Sequence, residues 1–469
     1  MAGAFADKRV VVMGLGRFGG GAGVTRWLSE QGARVLVTDL CKERDLQKSI
    51  AALDGLNVEY RLGGHDPADL ETCDLLVVNP AVDKRKSAFF QAAQSKGIGW
   101  SSEMTLFLER CEARIVGITG TAGKSTTAAM LYAILEAASR ASGWRHGRVW
   151  LGGNIGRSLL SDLPAMNPDD VVVLELSSFQ LEDVARLRKS PDLALVTNLR
   201  ENHLDRHGSL QAYAEAKGNI YRFGPRHAWL AMPFDDGVEL LPGGWEDKPR
   251  LYRFGVDRRT GKARLLGRNN VQYELESIPI ELAVPGLHNV HNAAGALAVG
   301  RMLGVADGVA LPALAGFGGL PHRLEFVREY QGVRYYNDSK ATSPEAAMTS
   351  LHAFDGPVVM LVGGSDKGGS FERFGAFLAE NAKAVVCMGR TGPTIESCIR
   401  KAHTGPVPRS CPIKVVLERS DFVEAVESAR GMADSGDVVL LSPGCASFDW
   451  FGNYEERGEA FKRIVAAWK

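Results

Sequence analysis

Gly117-Ile118-Thr119-Gly120-Thr121-Ala122-Gly123-Lys124-Ser125-Thr126 is the stretch whose reading decides the fold. An apolar run at 114–119 precedes it and a helical pattern follows from 125 to about 138, so the glycines lie between a strand and a helix. Such a loop turns successive backbone N–H groups, and the positive end of the helix dipole, toward phosphate oxygens. Lys124 can then reach the β- and γ-phosphates of a triphosphate, and the Ser125 hydroxyl can hold Mg2+. The spacing departs from strict G-x-x-x-x-G-K-[ST], because Ile118 stands where the first glycine belongs and Gly117 and Gly120 flank it. These residues point to an enzyme that uses ATP on a parallel α/β scaffold.

The strand–turn–helix rhythm continues in both directions. Toward the N-terminus, strands are expected at 9–13, 34–38 and 75–79, with helices at 20–31 and 87–96; the pattern resets near 105–113. Toward the C-terminus come strands at 171–176 and 193–198. A turn-rich segment at 229–280 follows, read as a β insertion or a few antiparallel strands, and then a helix at 289–303. Gly316-Phe317-Gly318-Gly319-Leu320-Pro321 reads as a linker. Beyond it, strands at 358–362, 384–388 and 438–442 alternate with helices such as 421–433. The expected fold is α/β, as three consecutive α/β domains at 1–110, 111–316 and 317–469: a Rossmann-like domain, a P-loop ATPase-like domain and a second Rossmann-like domain.

Bulk properties exclude several classes. The 469 residues carry 55 basic and 55 acidic side chains, so nothing in the net charge calls for nucleic acid or a membrane surface. The seven cysteines form no C-x-x-C pair, which argues against a zinc site or a disulfide framework. No apolar run approaches the roughly 20 residues that span a bilayer, and the first residues lead straight into a strand without a leader-like pattern. A cytoplasmic protein with no nucleic-acid or membrane partner is expected.

Other residues invite chemistry. Gly14-Leu15-Gly16-Arg17-Phe18-Gly19 follows a strand and opens a helix, and Asp39 ends the next strand, a layout that suits a dinucleotide or similar ligand. It raises an NAD-dependent dehydrogenase as a rival; a tight turn without a ligand is the plain alternative. Glu175 closes the apolar run 171–175, where a strand-end carboxylate could meet magnesium beside the loop. His203, Asp205 and His207 follow the strand ending at Asn198 and suggest a cation or proton-handling site. Lys217 reads by itself as a solvated helical lysine.

Taken together the residues resemble the Mur ligases, ATP-dependent amide ligases that build the peptidoglycan stem peptide. The resemblance runs in order over nearly the whole chain: GITGTAGKST, GGNIG (152–156), ELSSFQLE (175–182), NHLDRHG (202–208), GLHNVHNAAGA (286–296), LPHRLE (320–325), NDSKAT (337–342), GGSDKGG (363–369) and SPGCASFDWF (442–451). NDSKAT and SPGCASFDWF are similar to the branch that adds D-glutamate to UDP-MurNAc-L-alanine. The implied substrates are UDP-MurNAc-L-alanine, D-glutamate and ATP, with Mg2+ as cofactor and a monomer expected. The implied chemistry converts a carboxylate to an acyl phosphate, which the amine of D-glutamate then attacks.

Carried over position by position, the resemblance implies that Gly120, Thr121, Ala122, Gly123, Lys124, Ser125, Thr126 and Thr127 bind ATP. Asn289, Asn292, Arg323 and Asp338 join them, with Lys340 from the third domain. Ser125, Glu175, His203 and Lys217 would surround the metal, Lys217 as a carbamate. Lys124, His203, Lys217 and Lys340 would be catalytic. Arg17, Phe18, Asp39, Asn154 and Ser177 would hold the UDP-linked substrate, which reassigns the first glycine turn. Thr342, Lys367, Ser447, Phe448 and Tyr454 would hold D-glutamate, and the third domain is expected to close on the middle one. The chain departs from the family pattern at Ala122, at Ser343-Pro344, at Asn79-Pro80-Ala81 and at Leu40-Cys41. A dehydrogenase would leave the Gly117 loop and Glu175 idle, and a non-catalytic P-loop switch would be indifferent to any amino acid.

Overall fold

Runs such as RVVVM and VVVLE place β-branched and aliphatic residues at consecutive positions, which suits strands covered by helices on both faces. The computed structural model describes residues 5–16, 19–155, 157–224, 228–243, 251–268, 273–366, 370–402, 412–416 and 422–469. By internal contacts the chain divides into two compact units, Met1–Ile280 with His291–Leu314 and Glu281–Val290 with Ala315–Lys469.

The first unit holds two sheets. One is wholly parallel, in the order Val58–Leu62, Arg34–Asp39, Arg9–Met13, Leu75–Val78, Trp100–Ser101. The other has eight strands, in the order Tyr273–Ile278, Ala263–Arg268, Leu251–Val256, Trp229–Pro233, Leu193–Val196, Arg114–Thr119, Val171–Glu175, Val149–Gly153. Six of these are parallel, and Ala263–Arg268 and Tyr273–Ile278 extend one edge as antiparallel strands. The segment at 229–280 is therefore two parallel strands, Trp229–Pro233 and Leu251–Val256, followed by an antiparallel extension. The strand Arg114–Thr119 is central, and its register sets Ile118 opposite Glu175 on one side and Leu195 on the other. One continuous apolar core runs from Val10, Val12 and Trp27 through Phe107 to Val172, Leu174 and Val196, and a second, around Val11, Leu76 and Phe89, covers the other face of the first sheet.

The second unit contains a six-stranded sheet in the order Glu325–Tyr330, Val333–Asn337, Val438–Leu441, Val358–Gly363, Ala384–Met388, Ile413–Val416. All its pairings are parallel except the hairpin of the first two strands. Separate cores cover its two faces, around Phe374 and Leu378 on one and around Phe461 and Trp450 on the other.

Helix starts follow local chemistry. Ser87, Ser209, Ser343 and Asn453 each accept a backbone N–H from the first turn they cap, and Ser102 and Ser177 form full capping boxes; each cap is worth about 1 kcal/mol. Boundaries fall close to expectation, at Gly20–Glu30, Ala88–Ser95, Lys124–Ser139, Leu287–Met302 and Phe422–Gly431. Residue 421, where the last of these was expected to begin, lies outside the described residues. The expected linker carries no helix or strand at 316–319. No helix among the described residues is long and apolar enough to cross a membrane, and none of the described cysteines is in a disulfide.

Asp170 ties the edge of the large sheet together. It is 1% exposed. It accepts hydrogen bonds from Arg148 N at 2.8 Å, Trp150 Nε1 at 2.9 Å and Asn167 N at 3.1 Å. Removing the acceptor strands donors inside the protein, so Asp170→Ala is expected to cost about 3 kcal/mol in urea denaturation. A loss under about 1 kcal/mol would show that water replaces the carboxylate there.

Candidate active site

Three neighbouring parallel strands of the large sheet, Leu193–Val196, Arg114–Thr119 and Val171–Glu175, end side by side, and the crevice beyond such ends is where open α/β sheets bind ligands. The glycine loop leaves the middle one. Gly120 has φ of +144°, and a Cβ there would sit 1.9 Å from Thr197 Oγ1; Gly123 has φ of +82°, with Asn292 Oδ1 2.3 Å from its Cβ position. Only glycine fits either place. The Ala122 peptide is gripped from both sides: its N–H donates to Asn198 Oδ1 at 2.9 Å, while Thr197 Oγ1 and Asn198 Nδ2 donate to its carbonyl at 2.6 and 3.0 Å. Thr121 Oγ1 donates to Arg200 O and accepts from Tyr213 Oη at 3.3 Å. Ser125, Thr126 and Thr127 are buried in the first turn of Lys124–Ser139, and Thr127 Oγ1 has no hydrogen-bond partner.

Two lysines converge on one carbonyl. Lys124 Nζ donates to Gly120 O at 3.0 Å and Thr121 O at 3.0 Å; Lys217 Nζ donates to the same Gly120 O at 2.8 Å and to Thr119 Oγ1 at 3.4 Å. Lys217 is not a solvated helical lysine: it is 1% exposed, with Nζ 4.5 Å from the centre of the Tyr213 ring. Burial, and after it the charge of Lys124, hold its amine well below the usual lysine range, against a smaller opposing pull from Glu175. A lowered pKa favours the neutral form of the amine, which is the nucleophilic one.

Glu175 is buried, and Asn154 orients it: Asn154 N donates to Glu175 O at 2.8 Å and Asn154 Nδ2 to Oε1 at 3.1 Å. The other oxygen, Oε2, is buried without a partner. Ser177 forms the reciprocal cap with Gln180 at the start of Ser178–Val184. His203 has φ of +53° at the start of the short helix Leu204–His207. Its ring lies 5.1 Å from Phe179, and burial lowers its pKa despite the pull of Asp205. His207, by contrast, is a packing residue. It is stacked on Phe179 at 5.2 Å, 3.0 Å from Ser178 Oγ, and held to a pKa of about 4, first by burial and then by His203.

In the first sheet, Asp39 accepts backbone N–H groups with both oxygens, from Gly16 at 3.0 Å and Cys41 at 2.8 Å. It therefore shapes the glycine turn, with its remaining lone pairs left for a ligand. Leu40 beside it is 71% exposed. Arg17, Phe18 and Lys367 lie outside the described residues, as do Gly156 and Gly368-Gly369 of the motifs quoted above.

The second unit repeats the arrangement on its own sheet. The neighbouring parallel strands Val333–Asn337, Val438–Leu441 and Val358–Gly363 lead into the NDSKAT, SPGCAS and GGSDK segments. Asp338 is buried and accepts from Ser442 Oγ at 2.7 Å and Leu324 N at 3.2 Å; burial raises its pKa to about 6. Lys340 Nζ stands 5.7 Å from the ring centre of Tyr454, which opens the helix Tyr454–Ala467. Thr342 and Arg323 are half-buried, Ser447 is buried, and Phe448 is 63% exposed. Asn289, also of this unit, is buried and donates to Pro285 O at 2.6 Å.

Several supporting residues escaped the sequence. Thr197 and Asn198 read only as the end of a strand, and Arg457 reads as an ordinary helical arginine. Arg457 is 2% exposed and joins two loops, donating to Ser339 Oγ and O at 2.9 Å each, to Cys445 O at 3.1 Å and to Ala446 O at 3.3 Å. Its place inside YEERG, among solvated charges, gives no signal of burial.

Comparisons with known proteins agree with this layout. Residues 8–100 match the model "Mur ligase MurD-like, N-terminal domain", 118–300 "Mur ligase middle domain" and 322–445 "Mur ligase, glutamate ligase domain". Each segment falls on one of the three sheets. The chain is 38% identical to a UDP-N-acetylmuramoylalanine–D-glutamate ligase of Roseiflexus sp., over 98% of both chains. It is 37% identical to the ligase of the same name from Symbiobacterium thermophilum, over the whole of both. Among solved structures, the UDP-N-acetylmuramate–alanine ligase of Thermotoga maritima superposes with a TM-score of 0.61 at 19% identity, covering 98% of this chain and 100% of that one. The MurF ligase of the same organism, in complex with ADP, gives 0.53 at 18% identity, covering 98% of each. Three α/β domains, the glycine loop and full-length relatives above 30% identity lead to one conclusion: this chain belongs to the Mur ligase family.

Proposed function

We propose that this protein is the cytoplasmic, monomeric, ATP-dependent ligase that joins D-glutamate to UDP-N-acetylmuramoyl-L-alanine. The observation that carries the chemistry is the convergence of Lys124 and Lys217 on Gly120 O beside Glu175. The choice of substrates follows the names of the full-length relatives. The proposed domains are 1–110 for the UDP-linked substrate, 111–316 for ATP and 317–469 for the amino acid.

The residues fit a magnesium site. Glu175 Oε2 is buried without a partner, and Ser125 lies in the first turn of the loop helix. No group of three or more His, Cys, Asp or Glu side chains capable of holding a metal occurs among the described residues. That suits Mg2+, which is commonly held by one or two carboxylates plus phosphate oxygens and water. Ser125, Glu175, His203 and a carbamate on Lys217 would hold it, and when bound it neutralises charge on the transferring phosphoryl group.

The chain's own residues would act as follows. Loop amides at 120–127 and Lys124 hold the triphosphate, with Asn289, Asn292, Arg323 and Asp338 as further nucleotide contacts. The UDP-linked substrate lies along Arg17, Phe18, Asp39, Asn154 and Ser177. Its terminal carboxylate oxygen attacks the γ-phosphorus and ADP leaves. The amine of D-glutamate, held by Thr342, Lys367, Ser447, Phe448 and Tyr454, attacks the acyl carbon; an amide forms and phosphate departs. Lys124 and Lys340 balance the negative charge of both transition states.

Phosphate release should require ATP, UDP-MurNAc-L-alanine and D-glutamate together. Release that ignores D-glutamate, or turnover of NADH without ATP, would refute the reading. Chelation should abolish the reaction, and Glu175→Gln should raise the magnesium concentration for half-maximal rate; an unchanged magnesium dependence removes Glu175 from the site. Lys217→Ala should lose activity and regain part of it with added acetate or formate. Lys217→Met, close in shape and free of the burial cost of an amine, should melt no lower than the parent chain. Failure of every short carboxylate to restore Lys217→Ala, with its fold intact, would rule out the carbamate.

A further inference from the structure

Within the first unit, residues 79–85 of the first α/β domain meet the segment 178–207 of the next. Most links there are ordinary ion pairs and ring contacts, such as Lys84 Nζ to Asp183 Oδ1 at 2.7 Å and Arg186 over the Trp100 ring at 3.7 Å. Arg206 differs in what it joins. It belongs to the short helix Leu204–His207, which His203 opens. Its guanidinium packs 4.3 Å from the Phe179 ring centre and donates to the carbonyls of Ala81 at 2.9 Å and Val82 at 3.2 Å. Asp83 Oδ2 lies 3.8 Å from its Nε, so one fork engages three successive residues of the loop.

The loop passes the constraint on. Asn79 Oδ1 accepts from Ala81 N at 3.0 Å, and Asn79 O accepts from Val82 N at 3.0 Å. On its other side, Asn79 Nδ2 donates to Gly14 O at 3.2 Å, and a Cβ on Gly14 would come within 2.8 Å of Asn79 Cβ. A continuous chain of contacts thus runs from His203 through Arg206, the Ala81–Val82 carbonyls and Asn79 to the first glycine turn. An Arg fork on main-chain carbonyls fixes distance and orientation together, which a surface ion pair does not.

We infer that Arg206 is a positioning residue that sets the span between the first glycine turn and His203, and so makes the two ends of one extended nucleotide-linked substrate bind together. The inference rests on the proposed binding of a UDP-linked substrate to the first domain. Losing the fork should leave ATP handling alone and loosen only the long substrate.

Two measurements on Arg206→Gln and Arg206→Lys decide it. Hydrogen exchange of the full-length protein should show residues 79–85 exchanging faster in Arg206→Gln, while the Gly117–Thr126 loop keeps its protection. KM for UDP-MurNAc-L-alanine should rise at least about tenfold in Arg206→Gln with KM for ATP within about twofold, and Arg206→Lys should fall between. Unchanged exchange at 79–85, or equal shifts in both KM values, overturns the inference. Faster exchange with an unaltered KM for the UDP-linked substrate also overturns it, since the clamp would then be structural alone. If the parent chain itself does not turn over UDP-MurNAc-L-alanine, the proposed function fails and this inference falls with it; faster exchange at 79–85 would then establish only a structural clamp.

Discussion

Gly120 O accepts from two lysines at once, at 3.0 and 2.8 Å. Two ammonium groups so close, one of them buried, cannot both keep their charge cheaply, and the fold resolves the conflict on Lys217. Lys217 binds fewer protons folded than unfolded. The associated stability is present above the unfolded lysine pKa and lost as pH falls toward neutrality, so at physiological pH its burial works against folding. The sheet accepts that cost where Thr119, Gly120, Glu175 and Lys217 meet, because the strands Arg114–Thr119 and Val171–Glu175 are in register and end together.

The same economy of backbone appears around the loop. Its peptide groups are satisfied by Thr197 and Asn198, from the adjacent strand end, and by Lys124 itself. The loop is therefore preorganised, and a ligand meeting it would exchange hydrogen bonds rather than create them from nothing. In the second unit Arg457 does comparable work, with four hydrogen bonds tying the residue after Asp338 to Cys445 and Ala446.

What the sequence revealed and what it hid follow from range. Strands buried on both faces, such as Arg9–Met13 and Val358–Gly363, announce themselves as apolar runs, and the loop's function is carried by contiguous residues. The strand Val58–Leu62 and the hairpin Glu325–Tyr330 with Val333–Asn337 carry charge among their apolar residues and give no such signal. The gripping of Ala122 by Asn198 spans 76 positions, and that of Ser339 by Arg457 spans 118. No local pattern encodes such pairings. Asp39 shows the converse: its place after a strand points to a ligand contact but gives no sign that its oxygens also hold the backbone of Gly16 and Cys41.

The antiparallel extension of the large sheet has its own consequence. Among the described residues its last strand, Tyr273–Ile278, is the edge of the sheet, and Leu275 there is 50% exposed. Glu274 and Glu276 flank that leucine, Arg301 forms a bidentate ion pair with Glu276 at 2.9 and 3.0 Å, and Pro279 follows at once. Carboxylates and a proline on an edge strand discourage a second chain from adding itself as another strand. The insertion thus widens the sheet without turning its rim into a seed for aggregation.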